Sequence, residues 1–128
     1  MNRSHCLVKV MAEVSDLLSR LDLAELPEIH MVTAKPHRGE PDTFDGSAML
    51  RPTFGPEIDC INAVRTWAVA IGGVVLLGDE IDPGTDYAHR KLFALLPLPS
   101  GGLFEVWTSL YDLGHAPDQA PAAELIPA

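Results

Sequence analysis

Five histidines, two cysteines and eighteen acidic side chains are the groups in this chain that could ligate a metal, attack an electrophile or move a proton. His5, His30, His37, His89 and His115 never fall three or four residues apart, the spacing that sets two imidazoles on one helical face for zinc. His37 with Glu40, Asp42 and Asp45 reads either as a metal or substrate site or as a solvated polar loop, and the second reading demands less. Asp79, Glu80, Asp82 and Asp86 would offer oxygen ligands to a hard cation, but Ile81 and Pro83 break the acidic alternation of a calcium loop. A polar turn capped by Asp82 or Asp86 explains the cluster as well. No metal and no cofactor is expected.

Nucleophilic chemistry fares no better. No serine stands in a glycine-flanked elbow. Cys60 falls near the positive end of a predicted helix, where an exposed thiol would ionise more readily, yet its apolar neighbours predict burial. Gly72 and Gly73 follow a helix and precede a strand, the reverse of a phosphate-binding loop. Phe54, Trp67, Trp107 and Tyr111 would suit either a small-molecule pocket or the core.

The elements that must position these groups follow from periodicity. Leu7, Val10, Met11, Val14, Leu17, Leu18 and Leu21 recur at helical spacing, which predicts an amphipathic helix over 7–21 with Ser4 as its cap. Ile29 to Ala34 alternates as a strand, residues 35–46 carry the prolines and glycines of an exposed loop, and Ser47 to Arg51 returns as a second strand. Gly55 and Pro56 open a second helix that Gly72 and Gly73 close, with Ile58, Ile61, Val64, Ala68 and Ile71 as its buried stripe. Val74 to Leu77 is uniformly apolar and predicts a central strand covered on both faces. Lys91 to Leu98 and Leu103 to Tyr111 flank a Pro-Ser-Gly-Gly turn and form a hairpin, its first arm placed near a sheet edge or a bulge by Pro97 and Pro99. A helix over 86–96 capped by Asp86 competes with that arm. The sum is an α+β fold, a single mostly antiparallel sheet of four to five strands with two helices packed on one face. The domain spans 1–114, and the Ala/Pro-rich residues 115–128 are expected to be a flexible tail.

Composition narrows the partners. At 128 residues the chain suits one domain, and a mean hydropathy of +0.12 is that of a soluble globule. Lys9, Glu13 and Asp16 interrupt the N-terminal apolar residues where a secretory signal needs a continuous run, so a cytoplasmic protein with free thiols and no membrane contact is expected. The net charge is −9, and residues 57–128 carry ten acidic against three basic side chains, a balance that repels nucleic acid.

Three functions remain. The one that needs no missing motif is a non-catalytic protein-interaction or regulatory module, acting by self-association or as an adaptor. The alternative is a small-molecule binder or small enzyme with a pocket between helix and sheet, in which His30, His89 or a carboxylate would do the chemistry. The third, an acidic mimic of nucleic acid, would need ordered rows of carboxylates that the scattered acids do not predict. Under the first reading the interface is Phe93, Leu95, Leu103, Trp107 and Tyr111, one alternating face of the hairpin, because two helices cannot cover both sides of a sheet. Arg90, Lys91 and Glu105 are expected at its polar rim, and the partner is another protein or a second copy of the chain.

Overall fold

The computed structural model describes residues 3–50, 57–86 and 88–111. In chain order these form α1 (Arg3–Ser19), a short 3-10 turn at Leu23–Glu25, β1 (Ile29–His37), β2 (Glu40–Leu50), α2 (Glu57–Ile71), β3 (Val74–Ile81), β4 (His89–Pro97) and β5 (Leu103–Leu110). The five strands make one sheet in the order β1-β2-β5-β4-β3. Every neighbouring pair is antiparallel except β2 and β5, which run parallel. A hairpin and a three-strand meander are thus joined along one parallel seam, with α2 as the crossover between them. The α+β class, the mostly antiparallel sheet and the two helices agree with the sequence pattern.

Both helices lie on the same face. The alternation of strand residues sends Ala48, Val106, Ala94 and Val75 to that face, where they are cross-strand neighbours and fully buried. Their small size lets α2 approach closely, and its Val64, Trp67 and Ala68 complete the core. The indole N–H of Trp67, deep in that core, donates to the Pro27 carbonyl at 2.9 Å. Under α1 the sheet carries Gly46, where a Cβ would stand 2.6 Å from Val14 Cγ2. Helix and strand can close to this distance because glycine is there.

Several expectations are corrected. Residues 35–46 are not a loop: β1 runs on to His37, Gly39 makes the turn with φ +82°, and β2 resumes at Glu40. Pro36 is tolerated because β1 is an edge strand, whose outer side needs no ladder bonds. β3 is the other edge instead of the centre, and its Val74 is 41% exposed while Val75 is buried, because helices cover only one of its faces. β4 lies inside the sheet, and Pro97 is accommodated as its last residue. The competing helix over 86–96 gives way to the two-residue period that buries Leu92 and Ala94. α1 begins before its expected cap, with Ser4 inside the first turn, and ends at Ser19, whose hydroxyl donates back to the Asp16 carbonyl. Met11 and Ile58, assigned to buried stripes, are more than half exposed. The expected tail, 115–128, and Phe54 lie outside the described residues.

Candidate functional site

The face of the sheet turned away from the helices is covered by no other element among the described residues. Alternation in β4 and β5 puts Phe93, Leu95, Leu103 and Trp107 on it, and register pairs Phe93 with Trp107 and Leu103 with Pro97. Tyr111 follows β5, is 58% exposed and packs its ring 5.2 Å from that of His89. The five expected interface residues therefore share one side, while Leu92, Phe104, Val106 and Leu110 are buried on the other.

The registers extend this pattern across all five strands. Met31 pairs with Met49, Met49 with Trp107, Trp107 with Phe93 and Phe93 with Leu76. They form one apolar row that crosses the sheet from edge to edge, with Trp107 in the middle strand. Met31, Met49 and Leu76 were not among the expected residues. Their strands could be seen in the sequence, but their alignment with Trp107 depends on pairings distant in the chain.

Beside the row lies a charged network. Glu105, next to Ser47 across the seam, is buried with its carboxylate bound to Lys91 Nζ at 2.6 and 2.7 Å and to the Ser47 hydroxyl at 2.8 Å. Lys35 Nζ stands 3.5 Å away. The Trp107 indole N–H donates to Ser47 Oγ at 2.9 Å, so indole, hydroxyl, carboxylate and ammonium form one chain of hydrogen bonds. The Lys91 ammonium also lies 5.1 Å from the Trp107 ring and 5.6 Å from that of Phe93, close enough for cation–π attraction. Lys91 and Glu105 belong to the middle of the face and not to its rim, which corrects the expected placement.

Burial acts to raise the Glu105 pKa. Hydrogen bonds from Lys91 and Ser47 and the charges of Lys91 and Lys35 outweigh it, so the carboxyl is held below its ordinary value. An acid that stays ionised is a poor proton donor near neutrality, and the adjacent Ser47 is buried. The geometry therefore describes an ion-paired anchor and not a nucleophile with its base.

The other grouped residues are dispersed or internally paired. His37 and Asp45 bond at 2.8 Å, and Asp45 also accepts the Leu103 backbone N–H at 2.8 Å, so this pair ties β1 and β5 to β2. Asp79, Glu80, Asp82 and Asp86 are exposed along the end of β3 and its turn. Among the described residues no three His, Cys, Asp or Glu side chains gather as metal ligands. Cys60 is buried in the core and Cys6 is half-buried, and neither is in a disulfide.

A second feature lies between α1 and β1 on the helix side. Val10, Met11, Val14, Leu18, Leu23 and Val32 line an open cavity of about 430 Å3, with Ser15, Ser19 and Thr33 among its few polar groups. Neither His30 nor His89 reaches it. No described helix is long and apolar enough to cross a membrane. No protein-family model, curated protein or solved structure matches this chain.

Proposed function

We propose that this protein is a non-catalytic interaction module whose working surface is the open face of its sheet. The observation that carries the reading is the apolar row Met31, Met49, Trp107, Phe93 and Leu76, set on the face that no described element covers. Leaving such a row wetted costs free energy, and aromatic side chains at the centre of a patch are the anchors of protein interfaces. The network around Glu105 supports this role: it holds Trp107 in one orientation and gives the face fixed, paired charges that select a register.

Genetically encoded photo-crosslinkers test the assignment in the protein's own cell. With the probe at Leu95, on the open face, adducts with a polypeptide are expected. The same probe at Val8, on the outer side of α1, should give none. Crosslinking equal at the two positions would remove the open face from consideration.

The cavity beside α1 favours a second reading, a carrier of an uncharged apolar small molecule. Its volume is that of a ligand pocket, and its lining is mostly aliphatic. Binding of such a ligand lost in Val32→Asp, with Leu95 crosslinking unaffected, would support this in place of the first.

A further inference from the structure

Resting on the interaction reading above, we infer that the occupant of the open face is a second copy of this chain, docked sheet to sheet about a two-fold axis running along the Met31–Leu76 row. Three observations lead there.

The first is area. Five strands about 4.8 Å apart and about eight residues long at about 3.3 Å per residue present roughly 600 Å2 in projection. Two copies together bury roughly 1,200 Å2 even before side-chain relief is counted, which reaches the range of stable dimers.

The second is the position of the row. β5 is the middle strand and Trp107 the middle residue of the row. An axis along the row lays its apolar residues on themselves, with thioether on thioether at Met31 and Met49 and the two Lys91 stems packed between the aromatic pairs at Trp107 and Phe93. The adaptable methionines and the cation–π contacts of Lys91 suit such self-contact.

The third is charge. Rotation about that axis turns each strand end for end, so the Glu105 side of one copy faces the Ser109 side of the other. Lys91 is the cross-strand partner of Ser109. Each Lys91 then stands between the Glu105 of its own chain and that of the opposing chain, and the two carboxylates are kept apart. The exposed acids Asp79, Glu80, Asp82 and Asp86 gather toward one end of β3, away from the row. Repulsion between two chains of charge −9 is screened over about 8 Å at physiological salt.

The dimer is a four-layer sandwich with helices outside and two sheets within. Light scattering of the full chain, with acrylamide quenching of its fluorescence, tests it. The chain has two tryptophans, and Trp67 is buried in the core, so quenching reports on Trp107. The expected result is a mass twice 13.8 kDa and shielded fluorescence. Phe93→Asp and Leu76→Glu should both halve the mass and expose Trp107 to quencher, with far-ultraviolet dichroism like the parent's. A monomeric parent with quenchable Trp107 overturns the second copy while leaving the face free for a different protein. A monomer with shielded Trp107 overturns both the inference and the interaction reading. A dimer that survives both substitutions in folded variants overturns the second copy on this face and leaves the interaction reading standing.

Discussion

Lys91 and Glu105 are joined although the sheet does not pair them: Lys91 stands opposite Ser109 and Glu105 opposite Leu95, and the lysine lies along the Phe93 and Trp107 rings to reach the carboxylate. One side chain thus does two things, neutralising a buried anion and shielding an aromatic pair from water. A partner docked on this face would have to work with or displace that arm.

Lys91→Met separates the two roles. It keeps most of the apolar stem but leaves Glu105 with Lys35 at 3.5 Å and Ser47 as its remaining partners. The loss expected is about 1–3 kcal/mol, short of that for a fully buried pair because Lys91 retains 27% side-chain exposure. Urea titration measures it. The double variant Lys91→Met, Glu105→Gln should recover much of the loss, since no bare charge remains.

The same carboxylate gives the fold an acid dependence of known sign. Its folded pKa lies below the ordinary 4.5, so the proton binds more readily to the unfolded chain. The stabilisation is fully present above that value and is lost as the pH falls through the folded pKa. Melting temperatures taken downward from neutral pH should fall less steeply below pH 4.5 in Glu105→Gln than in the parent. Parallel curves would remove Glu105 from the acid response.

Gly46→Ala tests how closely α1 is held to the sheet. The new methyl would meet Val14 Cγ2 at 2.6 Å and the Phe104 ring at 3.2 Å, and both neighbours are buried. A destabilisation of about 1–3 kcal/mol is expected from overpacking. Val14→Ala in the same chain should restore part of it by making room, an outcome readable by thermal melt.

Val75→Asp places a charge where the parent side chain is fully buried beneath α2. Loss of the cooperative melt is expected, because Val75 belongs to the buried apolar cluster and a carboxylate there would be desolvated. The equivalent change at neighbouring Val74, 41% exposed on the open face, should leave a folded chain. If the two variants melted alike, the assignment of faces along β3 would be wrong.

Much of this architecture was legible because it is local. The period of α1, the hairpin of β4 and β5 around its Pro-Ser-Gly-Gly turn and the alternation that divides Phe93 and Trp107 from Leu92 and Phe104 are properties of short windows. What could not be read locally was what sits beside what. β3 looked central because Val74–Leu77 is uniformly apolar, but the open face tolerates apolar residues as readily as the core does. Residues 35–46 read as a loop because of Pro36 and Gly39, since nothing local marks β1 as the edge strand on which a proline is tolerated. The network of Glu105 with Ser47, Lys35 and Lys91 draws on four strands. Only the phase of Glu105 with Trp107 hinted that it shares their face.

The parallel seam also sets an order of events. The β1–β2 hairpin and the β3–β4–β5 meander each close through antiparallel neighbours next to each other in sequence, whereas Ser47 and Glu105 meet across 58 residues. Local closures come early and distant ones late, so the seam should be the last part of the sheet to form and the step that limits the folding rate. Until it closes, β2 and β5 each present an unpaired edge, and this interval is when the nascent chain is most exposed to aggregation.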